Sequence, residues 1–305
     1  MPAELGLGCW SFGGKGPEVP DDQNSSRLME QAFKAGVTHF DTAQDYGQGH
    51  SETVVGQFAA TSSHKPFLAT KTATCEPSEV LQRVHESLSR LKVSAIDLFY
   101  IHWPKTGKDP AHMVEALETC RNQGLIKAIG VSNFSVPQMI AAAKGGRIDY
   151  HQMGYNLAWR FPEEEVLPYC REHQIQVVAY SPMAQGLLTN RGCDPDRWAP
   201  SDPRRATVFY QPEVWPRVKT FVGSLGAVAE QAGVTLEELA LRWVLTRPGV
   251  SVAVAGASNS QQLGDLMEYA NRASQTTPAL KQLDELSLAL KHDLPRVGNM
   301  FLHYP

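Results

Sequence analysis

The chain has 305 residues, 42% of them hydrophobic and 20% charged, with a formal net charge of −4 at pH 7. This composition is ordinary for a globular protein, and the small negative charge without a run of Lys or Arg argues against a nucleic-acid partner. The sequence contains neither a signal-peptide pattern nor an apolar run of about 18 residues, so we expect no secretion signal and no membrane span.

Short β-rich runs alternate with longer helical patterns along nearly the whole chain. The helical stretch 78–91 has apolar residues at helical spacing, and Pro77 and Ser78 stand where a helix start uses such residues. Eight runs separated by helices predict βα units and a parallel sheet. The predicted strands are Leu5–Cys9, Val37–Phe40, Phe67–Thr70, Ile96–Ile101, Ile126–Val131, Tyr150–Tyr155, Ile175–Tyr180 and Val250–Val254.

We therefore predict an α/β fold, a single (β/α)8 TIM-barrel domain over residues 1–305 with a long loop after strand 7 and C-terminal helices. The alternative is a doubly wound open sheet, which normally has a G-x-G-x-x-G turn after its first strand. This chain reads GLGCWSFGG there, with Ser11 where the third glycine belongs, which favours the barrel. The segment from Met183 to about Val214 is far longer than a usual βα loop, and we expect it to be a lid over a cofactor or substrate.

Four ionisable residues fall at or just after the ends of three successive predicted strands, namely Asp41, Tyr46, Lys71 and His102. The C-terminal strand ends of a barrel converge on one face, so we expect these side chains to meet. Tyr46 suits a proton donor if the Lys71 ammonium lowers the phenol pKa from its ordinary value near 10. Asp41 would orient Lys71, and a neutral His102 would align a carbonyl oxygen. Each residue alone also fits a structural role, but the placement of all four at neighbouring strand ends favours a catalytic role.

The five cysteines are scattered singly, without a C-x-x-C pair, at Cys9, Cys75, Cys120, Cys170 and Cys193. This pattern indicates small, mostly buried side chains in a reducing, cytoplasmic compartment rather than disulfides or a zinc site. No cluster of carboxylates or histidines at ligand spacing predicts another metal.

Motifs along nearly the whole chain resemble those of the aldo-keto reductase superfamily. They are GLGCWSFGG, FDTAQDYG, the Lys71 strand end, FYIHWP, GVSNF, QMGYN, YSPMAQGLL and GASNSQQL, and they are highly specific in this order. The pattern is most similar to bacterial reductases related to voltage-gated potassium channel β-subunits. The resemblance implies an NAD(P)H-dependent oxidoreductase that interconverts an aldehyde or ketone, such as a sugar- or polyol-derived carbonyl, and its alcohol. The family's catalytic tetrad falls on Asp41, Tyr46, Lys71 and His102.

The resemblance also implies a cofactor site. Ser132, Asn133 and Gln152 match residues that hydrogen-bond the nicotinamide carboxamide, and Tyr180 matches the aromatic that stacks on the nicotinamide ring. Alternatives stay open, because Ser132 and Asn133 also suit a helix cap and Tyr180 suits a core. Trp10 and Asp41 are further expected cofactor contacts. Matches along the pyrophosphate are Ser181, Pro182, Gln185, Gly186 and Leu188, and matches at the adenosine ribose are Gly256, Ala257, Ser258, Gln262 and Asp265.

The choice between NADPH and NADH depends on few residues. GASNSQQL opens a predicted helix whose N-terminus favours phosphate, but it lacks the Lys or Arg that family members often use for the 2′-phosphate. In the channel β-subunit branch, basic residues of the long loop help, and Arg191 and Arg205 lie in that loop here. NADPH is therefore the expected cofactor and NADH the alternative; both arginines also suit a solvated surface.

The substrate site is expected to be apolar and aromatic, since Trp10, Trp103 and Tyr155 match pocket-wall positions beside Tyr46 and His102. The C-terminal tail VGNMFLHYP suits either a further wall or an oligomer contact. Few residues precede the first strand, whereas family members usually begin with a β-hairpin that closes the barrel floor.

Two other function classes remain open. The first is a redox-sensing regulatory subunit that binds the cofactor with little turnover, as in the channel-associated relatives. The second is a lyase or aldolase that forms a Schiff base at Lys71.

Overall fold

Eight parallel strands close into a barrel in chain order, each paired with the next and the last with the first. This computed structural model describes residues 2–14, 20–62, 64–200, 202–275 and 277–302. The TIM barrel is confirmed, the open sheet is excluded, and every predicted strand overlaps an observed one. The strands are β1 Glu4–Gly8, β2 His39–Asp41, β3 Phe67–Thr72, β4 Ile96–Ile101, β5 Ile126–Ser132, β6 Tyr150–Gly154, β7 Gln176–Tyr180 and β8 Val250–Ala255.

Helices in the described residues surround the barrel. Their starts follow local chemistry: α3 has Pro77 in its first turn, and Asn259 caps α9 by accepting from the backbone N–H of Gln262 at 2.9 Å. None of them is both long and apolar enough to cross a membrane. The helices are α1 Asp22–Lys34, α2 His50–Thr61, α3 Pro77–Leu91, α4 Pro110–Asn122, α5 Val136–Ala142, α6 Val166–Glu172, α7 Trp215–Gln231, α8 Leu236–Leu245, α9 Ser260–Asn271 and α10 Pro278–Asp293.

Aromatic side chains fill the floor of the barrel. The His39 and Phe67 rings stack with centroids 4.9 Å apart, and the Tyr150 ring lies 6.3 Å from Phe67. These rings lie at the N-terminal ends of β2, β3 and β6.

Helix α10 is anchored to the barrel through Asp284. Its Oδ1 accepts hydrogen bonds from Arg160 at 3.0 Å, from Arg247 at 2.9 Å and from Nε1 of Trp243 at 2.9 Å. Arg160 and Trp243 are buried, so this junction holds α10 against the barrel.

The long loop between β7 and α7 pairs with that tail. The loop contains short 3₁₀ turns, and Val208 N donates to Met300 O while Leu302 N donates to Ala206 O, both at 2.9 Å. Thr207 and Phe301 form an antiparallel bridge between the two segments. The described part of the tail, up to residue 302, therefore lies against the long loop. The 3₁₀ turns are Ala184–Gly186, Pro195–Arg197, Pro203–Ala206 and Val208–Tyr210.

Candidate active site

Four side chains from the ends of three neighbouring strands form one cluster at the C-terminal mouth of the barrel. Nζ of Lys71 lies 2.6 Å from Oδ1 of Asp41 and donates to the carbonyl oxygen of Thr42 at 2.7 Å. The same ammonium is 5.4 Å from the ring centroid of Tyr46, whose ring meets His102 edge-on with centroids 5.8 Å apart. The residues that the sequence places at separate strand ends thus lie within reach of one small substrate group.

The loop that carries Tyr46 packs tightly against the turn after β1. A Cβ on Gly13 would lie only 2.7 Å from the carbonyl carbon of Tyr46, so glycine is required there. Ser51 Oγ donates to the carbonyl oxygen of Cys9 at 2.7 Å and is 2.7 Å from Thr42 Oγ1. These contacts fix the position of the phenol relative to β2 and β3.

The pKa of Tyr46 differs from the expectation. Burial raises the pKa of the phenol well above its ordinary value, and the negative charge of Asp41 raises it further. The Lys71 ammonium is paired with that carboxylate, and its positive charge does not outweigh burial and Asp41 at the phenol. The predicted lowering by Lys71 is therefore wrong in this structure. Tyr46 is held as a neutral phenol, the form that donates a proton.

His102 is held as a neutral imidazole. Burial lowers the pKa of His102; the Asp45 carboxylate, 3.5 Å from Nδ1, opposes this shift and the Lys71 ammonium reinforces it. A neutral ring offers one N–H to a substrate oxygen without adding a charge. Asp45 was not predicted as a site residue, although it directly precedes Tyr46 in the FDTAQDYG motif.

The amide of Asn133 lies at the centre of a polar network beside this cluster. Its Nδ2 donates to Ser132 Oγ at 3.0 Å and to the carbonyl oxygen of His102 at 3.2 Å. Its Oδ1 accepts from the hydroxyl of Tyr180 at 2.6 Å and from Nδ2 of Asn299 at 2.9 Å. Asn133 thereby contacts two of the other residues expected around a nicotinamide, Ser132 and Tyr180.

Gln152 joins that network to the cluster. Its Nε2 donates to Oδ2 of Asp41 at 2.7 Å, the carboxylate oxygen not used by Lys71.

The capping alternative for Ser132 and Asn133 is wrong, because Ser135 is the N-cap of α5.

The turn after β7 has backbone strain. Four residues of this turn have positive φ values, between 48° and 92°: Ser181, Ala184, Gln185 and Gly186. Non-glycine residues adopt this region at a cost, and such strain concentrates at functional turns. Backbone N–H groups in turns of this kind form concave sites for anions. The flanking Pro182 and Leu188 are buried and hold the turn in place.

The expected ribose segment lies at the start of α9. Gln262 accepts at Oε1 from the backbone N–H of Ser258 at 2.8 Å, and Asp265 accepts from Gln261 at 2.8 Å. Gly256 and Ala257 lead from β8 into this helix start. The N–H groups at the N-terminus of α9 supply the favourable field for a phosphate.

The two loop arginines have different surroundings. The Arg205 guanidinium donates to the backbone carbonyls of Pro195, Trp198 and Ala199, so it closes the long loop on itself. The contact of Arg205 with a cofactor phosphate stays a prediction. Arg191 lies exposed on the same loop.

Aromatic rings surround the cluster. Trp103 stacks on His102 with centroids 6.1 Å apart, and Phe301 of the tail lies 6.2 Å from both Trp103 and Tyr180. Trp10 follows β1 and is 45% exposed, an unusual state for a large apolar ring. Neither Asn299 nor Phe301 was singled out in the sequence; the unassigned tail motif was the only signal.

Tyr155 does not belong to this wall. Side chains alternate along a strand, and because Gln152 points inward on β6, Tyr155 points outward. Its ring packs against Trp243 with centroids 5.3 Å apart, and its hydroxyl donates to Glu163 at 2.6 Å. The prediction of Tyr155 as a substrate contact is wrong.

Comparisons with known proteins agree with this geometry. Residues 4–287 match the aldo/keto reductase family. The chain is 32% identical to the aldo-keto reductase YhdN of Bacillus subtilis, with 87% of this chain and 84% of that protein covered. It is 28% identical to the NADH-specific methylglyoxal reductase of Escherichia coli, covering 86% and 87%.

Solved structures give the same result. The glycerol dehydrogenase AKR11B4 of Gluconobacter oxydans superposes with a TM-score of 0.84 at 30% identity, covering 97% of this chain and 94% of that one. An aldo/keto reductase of Klebsiella pneumoniae, solved with NADP and acetate, superposes with a TM-score of 0.74 at 26% identity, covering 97% and 94%. The chain belongs to the aldo/keto reductase family of oxidoreductases.

Proposed function

We propose that the protein interconverts an aldehyde or ketone and its alcohol, using a nicotinamide cofactor and Tyr46 as general acid and base. The observation that carries this proposal is the position of the Tyr46 phenol between the Lys71–Asp41 ion pair and His102.

The residues present fit a nicotinamide dinucleotide. Asn133 and Gln152 carry amides suited to a carboxamide, and Tyr180 offers an aromatic face. The strained turn at Ala184–Gly186 and the N-terminus of α9 are each suited to a phosphate. When bound, the reduced cofactor supplies the hydride.

The protein's own residues handle the oxygen of the substrate. The carbonyl oxygen lies between the Tyr46 hydroxyl and an N–H of neutral His102, which together stabilise the negative charge that develops there. Tyr46 then gives its proton to the alkoxide oxygen, and the Lys71 ammonium beside the ring stabilises the resulting phenolate. Alcohol oxidation uses the same groups in reverse, with Tyr46 as base. The raised pKa of Tyr46 keeps the phenol protonated, which is the form that reduction uses.

The aromatic rings of Trp10 and Trp103 favour a substrate with an apolar or flat portion next to the reacting carbonyl. Two relatives named for glycerol and methylglyoxal support small oxygenated substrates as the first class to test.

For the cofactor we propose NADPH, with Arg191 as the contact to its 2′-phosphate and the long loop closing over it. One structural relative binds NADP and one curated relative is named as NADH-specific, so both cofactors belong in the test.

The test is a panel of aldehydes, ketones, aldoses and polyols, each assayed with NADPH and with NADH through the nicotinamide absorbance. We expect carbonyl-dependent oxidation of NADPH with at least one aldehyde. Tight cofactor binding without turnover across the panel would contradict the proposal and indicate a redox-sensing subunit instead.

A further inference from the structure

The amide of Asn133 has no unused hydrogen-bonding capacity. A primary amide has two N–H donors and one carbonyl oxygen with two lone pairs. Both donors are used, by Ser132 Oγ and the His102 carbonyl, and both lone pairs are used, by Tyr180 and Asn299. Any ligand that bonds to this amide must therefore displace one of the four partners.

Three of these partners are fixed by the barrel. Ser132 ends β5, Tyr180 ends β7, and the backbone N–H of His102 continues the ladder by donating to Thr72 O at 2.9 Å. Asn299 instead belongs to the tail beyond α10. It is the partner whose movement would disturb no strand.

Besides the Asn299 amide, the tail places an aromatic ring, that of Phe301, against the same network. The ring of Phe301 stacks on Tyr180 with an interplanar angle of 28°, while Asn299 donates to Oδ1 of Asn133. The backbone N–H of Phe301 donates to Oδ1 of Asn299 at 2.8 Å, which holds the two side chains together. An aromatic ring and a primary amide thus contact the same two residues, Tyr180 and Asn133, that the proposed function assigns to the nicotinamide.

We propose that Asn299 occupies the hydrogen-bonding position of the nicotinamide carboxamide, so that cofactor binding exchanges one primary amide for another and frees the tail. This inference rests on the proposed function. Release of Asn299 also loosens the pairing of the tail with Ala206 and Val208, which links cofactor occupancy to the long loop.

The first experiment compares two ligands on one variant. Asn299→Ala removes the competing amide, so NADP⁺ should bind roughly three- to tenfold more tightly, as expected for one neutral hydrogen bond. 2′-Phospho-ADP-ribose lacks the nicotinamide, and its affinity should stay within about twofold. Leu302→Ala, which changes an exposed tail side chain, is the matched control and should alter neither affinity. Thermal melting of each variant shows that it is folded.

Equal tightening of both ligands, or unchanged or weaker NADP⁺ binding by Asn299→Ala, would overturn the inference. Hydrogen exchange of the unaltered protein gives a second readout. NADP⁺ should speed exchange of the Phe301 and Leu302 amides, although ligands usually slow exchange, and 2′-phospho-ADP-ribose should leave them unchanged. Slower exchange there with NADP⁺ would contradict the displacement. If the unaltered protein binds neither NADP⁺ nor NAD⁺, the proposed function fails as well. If the unaltered protein binds NADP⁺ and Asn299→Ala binds it equally well, only the proposed displacement of Asn299 fails.

Discussion

The Lys71 ammonium and the Asp41 carboxylate form a buried ion pair, with Nζ 2.6 Å from Oδ1 and neither side chain more than 5% exposed. Removing one member of such a pair leaves an uncompensated charge in a medium of low polarity. This pair therefore has two effects, one on stability and one on the phenol of Tyr46, and they can be separated.

Asp41→Asn keeps the shape of the side chain and removes its charge. We expect a loss of about 3–5 kcal/mol in the free energy of unfolding, measured by urea denaturation, and a similar loss for Lys71→Met. The double variant should recover part of this stability, because it contains no lone buried charge, yet remain inactive. Losses that simply add in the double variant would show that the two charges do not interact.

Buried histidines make stability depend on pH. Burial lowers the pKa of His39 and of His151 to about 4, from an ordinary value of 6.5. Between these values the unfolded chain binds more protons than the folded one, so stability is full above about pH 6.5 and falls as the pH drops towards 4. Each histidine contributes about 3 kcal/mol to that fall.

His39→Gln should therefore reduce the slope of the unfolding free energy against pH by about one proton in this range. Exposed His112 serves as the control, and His112→Gln should leave the slope unchanged. An unaltered slope in His39→Gln would mean that His39 titrates normally in the folded protein.

Gly130 lies where β5 passes the ring of Tyr100. A Cβ there would lie 2.2 Å from Cδ1 of that ring, so Gly130→Ala should lower the unfolding free energy by about 1–3 kcal/mol through overpacking. Gly223→Ala, in α7 with no atom near the added Cβ, should instead stabilise by about 0.5–1 kcal/mol. Thermal or urea unfolding of both variants measures this difference; equal effects would refute the packing explanation.

Substitutions of the two loop arginines should change the KM values for NADPH and NADH in different ways. Arg191→Ala should raise KM for NADPH by about tenfold or more and leave KM for NADH within about twofold, since a hydrogen bond to a charged group contributes about 1.5–3 kcal/mol. Arg205→Ala should raise both KM values together, because Arg205 holds the loop through backbone carbonyls. An Arg191 variant with an unchanged NADPH-to-NADH ratio would assign the 2′-phosphate contact elsewhere.

The sequence was most informative where a local pattern has one structural solution. Eight alternating runs, and ionisable residues at strand ends such as Lys71 and His102, were sufficient to predict the barrel and the meeting of those side chains. The outward direction of the Tyr155 side chain could also be predicted from the sequence, because side chains along a strand alternate with a two-residue period and Gln152 points inward.

Other features depended on long-range packing. The sign of the pKa shift of Tyr46 was wrong because it is set by desolvation and by the pairing of Lys71 with Asp41, which spacing does not express. The roles of Arg205 and Asn299 depend on how a long loop and a tail fold back, and neither has a repeating pattern.

The central claim is that Tyr46 gives the proton, and the most direct measurement is the single-turnover rate of aldehyde reduction by Tyr46→Phe with saturating cofactor. We expect the rate to fall by about 10²- to 10⁴-fold, as for loss of a general acid, while the cofactor Kd stays within about twofold. A rate within about tenfold of the unaltered protein, with the cofactor bound, would contradict this role for Tyr46.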